Sequence, residues 1–354
     1  MSLRVAAVIP AHNEESTIAQ AIADMLAQSY PVDPIIVVND CSTDGTAAIL
    51  AELQAKIPQL VVLDNNEQNL RAGALNRGLD YLRDKPVDLV VAADADSRFD
   101  RELAAQAVSM FEQHDRLGGV CTTSGVLDPE ETDSSPGKRL AAWFLWRLQR
   151  LDGVSFDATR TASWRNVQIL HGLCSVFRLD ALLDVGGYSP GHLLEDYDLT
   201  LRLKKAGWRT MFCPHMKAWT RVPATFRSFF RQRARWMRGG VDVLLEHGIN
   251  RHTLEDFLHH LLFIILFLGI ISHIVISLFN GGWRLRLTSH PAPLILAGAG
   301  YAWSLYELRF LDRPQAGDVL FCASLLPRLI VAATLSYLQL TAYCRSLLRR
   351  PQAW

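Results

Sequence analysis

The chain has 354 residues, enough for one large domain with an addition. Lysine plus arginine and aspartate plus glutamate both number 36, so charge makes no case for a nucleic-acid partner. The balance is uneven: nearly all acidic residues precede Asp256, and long apolar runs follow it.

Arg4 to Ile9 reads as a buried strand ended by Pro10. Glu14-Glu15-Ser-Thr17 then opens a helix whose apolar positions, Ile18, Ile22, Met25 and Leu26, share one face. Ile35–Val38 is a second strand. The Asn39–Thr46 segment after it is a turn that caps a helix with Ile49, Leu50 and Leu53 inward. Leu60–Leu63 is a third strand and Arg71–Leu82 a third helix, with Leu75, Leu79 and Leu82 on one side. Leu89–Ala93 is a fourth strand and runs straight into Asp94-Ala-Asp96.

Such alternation is the pattern of a doubly wound parallel α/β sheet. The first strand-to-helix turn, Pro10-Ala-His-Asn-Glu14, has no Gly-x-Gly-x-x-Gly, so a dinucleotide-binding domain is disfavoured. Ligands of open α/β sheets bind past the carboxyl ends of the strands, where Asp94 and Asp96 would stand as hard oxygen ligands for a divalent cation. An acidic turn after a strand is also an ordinary helix cap, and both readings stay open here.

Further on, Gly119–Val126 and Ser175–Phe177 read as strands. Lys138–Leu151 is a helix with Trp143 and Trp146 on a dense apolar side, fit either for a core or for a lipid interface. Asp180–Gly187 is a short helix ended by its two glycines. Glu195-Asp196 stand in the first turn of the next helix, serving its dipole or aimed into the cleft as a general base. Arg221, Arg227, Arg231, Arg233, Arg235 and Arg238 make a basic, aromatic stretch that suits solvent, lipid headgroups or a polyphosphate.

Leu261–Phe279 has nineteen residues without charge and reads as a membrane span; 291–306 and 319–344 are weaker candidates. Three spans would leave Arg345, Arg349 and Arg350 outside, against the positive-inside bias. Met1–Pro10 carries no secretory signal pattern, so the front portion is expected in the cytoplasm. The six cysteines lack paired or metal-ligand spacing and read as reduced, mostly buried residues.

Six elements resemble, in order, the membrane-bound family-2 glycosyltransferases, the group of cellulose, hyaluronan and poly-N-acetylglucosamine synthases. They are Val8-Ile-Pro-Ala-His-Asn-Glu14, Val38-Asn-Asp40 with Ser42–Thr46, Ala72–Asn76, Asp94-Ala-Asp96, Glu195-Asp196 and Gln232-Arg-Ala-Arg235-Trp236. The resemblance implies an α/β GT-A nucleotide-sugar-binding domain over 1–220. It also implies interfacial helices over 221–256, a transmembrane region of two to three spans over 257–345, and a basic tail over 346–354.

By the same resemblance, Asp196 would be the general base beside Glu195, and Asp96 with Asp94 would hold Mg²⁺ or Mn²⁺. Pro10, Glu14, Asp40, Arg71, Asp94, Gln232, Arg235 and Trp236 would bind the donor. The implied reaction is inverting transfer from a UDP-sugar of glucose or N-acetylglucosamine type to a growing polysaccharide, processive and coupled to export. Addition of one or a few sugars to a lipid acceptor is the alternative. Implied partners are the UDP-sugar donor, a glycan or lipid-linked acceptor and the lipid bilayer, with no nucleic acid. The implied location is a multi-pass placement in the plasma (inner) membrane with a cytoplasmic catalytic domain. The reduced membrane part favours either a simpler lipid-linked product or assembly with partners, a second copy or accessory membrane subunits.

Overall fold

A computed structural model describes residues 2–129, 135–279, 291–311 and 314–348. The first half is the strand–helix alternation read from sequence: β1 (Val5–Ala11), α1 (Ile18–Leu26), β2 (Val32–Asn39), α2 (Thr46–Gln54), β3 (Leu60–Asp64), α3 (Leu70–Leu82) and β4 (Leu89–Ala93). There follow β5 (Ser97–Phe99), α4 (Leu103–Gln113), β6 (Leu117–Cys121), β7 (Gly125–Val126), α5 (Pro136–Ala162), β8 (Cys174–Arg178) and α6 (Leu179–Asp184). Then come α7 (Glu195–Lys205), β9 (Arg209–Phe212), β10 (Ala218–Thr220), α8 (Phe226–His247), α9 (Leu254–Phe279), α10 (Pro291–Glu307), α11 (Ala316–Ala323) and α12 (Leu325–Leu347).

Seven strands form one sheet in the order β3-β2-β1-β4-β8-β6-β9. The sheet is mixed rather than wholly parallel, because β8 runs antiparallel between β4 and β6. Alternate strand residues serve opposite faces. Ala7, Ile9, Ile35, Val37 and Val91 pack against α1 and α4, while Ala6, Val8, Ile36, Val38 and Val90 pack against α3, α6 and α7. The result is an α/β/α sandwich whose strands are buried on both sides, hence their continuous apolar runs. A second sheet, β5-β10-β7, hangs off the end of β4.

Gly78 on α3 sits so close to the sheet that a Cβ would lie 2.3 Å from Cγ1 of Val8. Gly78→Ala therefore sets the better helix propensity of alanine, worth about 1 kcal/mol, against overpacking of about 1–3 kcal/mol. Urea denaturation should give a net loss of about 1 kcal/mol, with no change in the slope.

Helix α5 is a core helix. Leu145, Leu148, Leu151 and Val154 pack with Phe229 of α8 and Phe321 of α11, and Trp146 donates from Nε1 to the Leu127 carbonyl at 2.9 Å. Arg147 and Arg150 of α5 share the fully buried Asp318 of α11.

The expected membrane region is not borne out. Among the described residues, no helix is long and apolar enough to cross a membrane. Helix α10, with 17 residues, extends about 25 Å against the roughly 30 Å of a hydrocarbon core. Helix α11 has 8 residues, and α12 carries Arg328 and Arg345 and packs along α8. Helix α9 begins with Glu255, Asp256, His259 and His260, and two of these tie it to its neighbours: Tyr197 donates to Asp256 at 2.6 Å, and His260 pairs with the Tyr343 hydroxyl. Those first turns are thereby removed from any apolar span. The expected C-terminal transmembrane helices and the multi-pass placement in the plasma membrane fall together. Most of the basic tail, 349–354, lies outside the described residues.

Candidate functional site

The turns after β1 and β2 are laced into one wall. The Asn13 amide oxygen accepts from Thr43 N at 2.7 Å, and the Glu15 carboxylate accepts from Gly45 N at 2.7 Å. Glu14 N donates to the Thr46 hydroxyl at 2.8 Å. The Ser42–Thr46 turn is thus more than a helix cap, since it fixes the neighbouring loop as well. Asn13, Cys41 and Leu70 adopt left-handed backbone conformations, with φ of 58°, 58° and 56°. Such conformations cost about 1–3 kcal/mol each, and all three flank the same cleft.

That cleft, of about 310 Å³, lies at the carboxyl ends of β1, β2 and β4. Pro10, Glu14, Asp40, Arg71, Asp94 and Asp96 all line it, so six of the residues singled out from sequence come together. His12, Gln68, Leu70 and Ala74 also line it and were not singled out. Only the presence of His12 within the Pro10–Glu14 turn could have marked it in advance. Asp40 is buried, and its Oδ1 accepts from Asn65 Nδ2 at 2.8 Å and from Asn69 N at 2.9 Å.

The carboxylates of the cleft repel one another. Burial first, then the charges of Asp94 and Glu14, push the Asp96 carboxyl up to about 7. Glu14 is raised by burial against the hydrogen bond from the Thr17 hydroxyl, with Asp94 adding to the rise. Among the described residues no three acidic, histidine or cysteine side chains converge as a complete metal cage. Two crowded carboxylates still suit a hard dication such as Mg²⁺, which commonly takes one or two carboxylates and completes its shell with substrate phosphates and water.

Glu195 and Asp196 are not on the cleft wall; they stand behind Arg71. The Arg71 guanidinium donates from Nε to Asp94 at 2.7 Å, from Nη1 to Glu195 at 2.7 Å and from Nη2 to the Gly172 carbonyl. The amide N–H of Gly172 in turn donates to Asp196 Oδ2 at 3.0 Å, and Tyr197 N donates to Oδ1 at 2.8 Å. Arg71, grouped from sequence with the donor-binding residues, is thus spent on three protein partners. Gly172 packs tightly under this fork: a Cβ there would lie 3.1 Å from the Arg71 Cζ, so the guanidinium would have to give by a few tenths of an ångström. Burial and then the Glu195 charge push the Asp196 carboxyl up to about 6, with Arg71 opposing the rise. His171 is held below its ordinary value, to about 3, first by burial and then by Arg160. It is therefore neutral, and its Nε2 donates to the Thr122 carbonyl at 2.7 Å.

Gln232, Arg235 and Trp236 lie on α8 and do not line the cleft. Arg235 is exposed; the Asp94 carboxyl is raised, first by burial, and Arg71 and then Arg235 oppose the rise. The basic stretch is divided in its use: Arg233 turns inward to Asp152 at 2.7 Å and lies 4.5 Å from the Trp236 ring centroid, while Arg238 pairs with Asp242. Helix α8 abuts the start of α7 through Gly239, where a Cβ would meet Leu194 Cγ at 2.8 Å and Leu193 Cβ at 2.9 Å.

Known proteins resemble this chain in sequence and in fold. A sequence is 26% identical over 268 residues, 75% of this chain and 60% of its own length, in the poly-beta-1,6-N-acetyl-D-glucosamine synthase of Staphylococcus aureus (strain COL). The probable glycosyltransferase YdaM of Bacillus subtilis (strain 168) is 28% identical over 69% of this chain and 56% of its own length. The chain thus spans about 60% of the length of these curated relatives. In fold, it matches the mannosyltransferase PcManGT from Pyrobaculum calidifontis, solved with GDP-Man and Mn²⁺. That match has a TM-score of 0.64 at 18% identity, over 99% of this chain and 88% of the other. The profile described as "Glycosyltransferase like family 2" matches residues 3–239, which contain the whole cleft, the Arg71 network and most of α8. With a GT-A α/β fold and that match over two-thirds of its length, the chain belongs to glycosyltransferase family 2.

Proposed function

We propose that this enzyme transfers a hexosyl unit of glucose or N-acetylglucosamine type, with inversion, from a UDP-sugar to a hydroxyl of a growing glycan. The observation that carries the reading is the connection of Asp94 to Asp196 through Arg71 and Gly172. It joins a leaving-group site to a base in one rigid frame. Similarity to a poly-beta-1,6-N-acetyl-D-glucosamine synthase supports a polymeric product, and we read its synthesis as processive.

Asp40 and Glu14 line the part of the cleft suited to the nucleoside. Asp96 and Asp94 would hold Mg²⁺ or Mn²⁺ on the donor diphosphate, which supplies neutralisation of the charge that develops on the leaving group. Asp196 accepts the proton of the acceptor hydroxyl as its oxygen bonds to the anomeric carbon. The bond from that carbon to the diphosphate breaks on the opposite side, and UDP leaves with the electron pair. One base suffices for this single displacement. Gln232, Arg235 and Trp236 would close over the donor from α8, and the indole gives a sugar's apolar face a platform.

The test is a donor screen with purified full-length protein, measuring released nucleoside diphosphate with Mn²⁺, with Mg²⁺ and with EDTA, and sizing the product. Turnover with a UDP-sugar, lost in EDTA, supports the reading. Release from GDP-sugars alone, or products of a single added sugar, would overturn the donor or the polymer part.

A pH dependence follows from Asp196, which must be ionised to act. Its carboxyl is pushed up to about 6, chiefly by burial. With the divalent cation saturating, so that Asp96 stays ionised, the rate should therefore be level above that value and fall about tenfold per pH unit below it. A kcat profile from pH 4.5 to 8 measures this, and a flat profile through pH 5 would remove Asp196 from the role.

A further inference from the structure

A second cavity, of about 910 Å³, lies across the small sheet from the donor cleft. Neighbouring residues of a strand point to opposite faces. On β10, the Thr220 hydroxyl stands 3.4 Å from Asp96, whereas Trp219 lines this second cavity. The indole lies against Gly125 of β7, where a Cβ would be 2.3 Å from Trp219 Cδ1, so the bare glycine is what makes room for the ring. The opposite wall is α5, which contributes Val154, Asp157 and Thr161. Asp157 is fixed: both of its oxygens accept from Ser124 N, at 2.9 and 3.1 Å, and Arg160 donates to it at 3.2 Å.

The chemistry of the lining selects a ligand class. Three carboxylates, Asp100, Asp128 and Asp157, stand with two cations, Arg150 and Lys217. A phosphate or nucleotide would meet more negative than positive charge. Sugar hydroxyls both donate and accept, and an indole wall takes the apolar face of a pyranose. The volume is near the top of the roughly 300–1,000 Å³ range of small-molecule sites, and it is larger than the donor cleft. The wall is also continuous with the base. Thr123 and Ser124 line the cavity, the adjoining Thr122 carbonyl accepts from His171, and the next residue, Gly172, holds Asp196.

We infer that this cavity is an oligosaccharide subsite, which holds the acceptor or product glycan several units away from the reacting hydroxyl. The inference rests on the glycosyl-transfer reading for its role in turnover, but glycan binding itself can be measured without a donor. The probes are fluorescently end-labelled β-linked N-acetylglucosamine and β-linked glucose oligosaccharides, from one to six units, titrated into the full chain by anisotropy. The expected result is hexasaccharide binding about tenfold tighter than monosaccharide binding. Trp219→Ala should lose about tenfold in hexasaccharide affinity, and Trp219→Phe should restore most of it. Thr161→Trp, which fills the cavity from α5 without touching the small sheet, should block binding too, and thermal melts check that each variant is folded.

Asp196→Asn should bind the hexasaccharide like the parent chain while failing to turn over. Equal affinity for one and six units, or hexasaccharide binding unaffected by both Trp219→Ala and Thr161→Trp, would overturn the subsite and leave the transferase reading standing. Chain-length-dependent binding that both variants abolish, with no turnover of any donor, would overturn the transferase reading and leave the subsite.

Discussion

Asp196→Asn should lower turnover by about 10²- to 10⁴-fold, the range that a general base contributes, while UDP-sugar affinity changes little. The substitution is close to isosteric. Asp196 lies apart from the cleft proposed for the donor, and its oxygens accept from Gly172 N and Tyr197 N. An asparagine has one acceptor oxygen for those two donors, so a stability loss of about 1 kcal/mol accompanies the change. Released UDP and equilibrium UDP binding, measured side by side, separate the two effects. Turnover within a factor of three of the parent would show that another group takes the proton.

Arg71→Ala carries the second large effect, on both stability and rate. The change strips partners from Asp94, Glu195 and the Gly172 carbonyl at once. Removing one member of a buried pair costs about 3–5 kcal/mol. The side chains here keep 24%, 32% and 13% exposure for Arg71, Asp94 and Glu195, so solvent screening brings the expectation to the low end, about 3 kcal/mol. The rate falls for a separate reason. Burial and Glu195 raise the Asp196 carboxyl, and Arg71 opposes them. Without the guanidinium the carboxyl rises further, and the acid limb of the pH–rate profile moves to higher pH. Arg71→Lys keeps the charge but not the three-way fork, so it should recover part of the profile shift and little of the stability. Urea melts and the two profiles decide it; an unshifted acid limb in Arg71→Ala would leave the residue a purely structural role.

The catalytic half of the fold was largely legible in the sequence because its strands are buried on both faces and its helices on one. Runs such as Ile35–Val38 and Leu89–Ala93 therefore stand out without any tertiary information. The cleft carboxylates were legible for a related reason, since they follow directly on those strands. What escaped was whatever depends on a partner distant in sequence. Arg71 meets Glu195 across 124 positions, and no local pattern indicates that its charge is spent on protein rather than phosphate. Trp146 looked equally fit for lipid or core until Leu127 was found to accept its indole N–H. The C-terminal expectation failed because an apolar run does not record how its flanking turns dock, as Asp256 and His260 do here.

The seat of Gly239 against Leu193 and Leu194 has a consequence for α8 that composition alone does not convey. A residue inserted between Trp236 and Gly239 would turn everything after it by about 100° about the helix axis. A side chain would then arrive where only a hydrogen fits, and the start of α7, with Glu195 and Asp196, would have to give way. The phase of α8 is thus as much a requirement of the site as any carboxylate. Chain-length changes are better accommodated in the turn at 221–225, ahead of the helix, than within the two turns that carry Gln232 to Gly239.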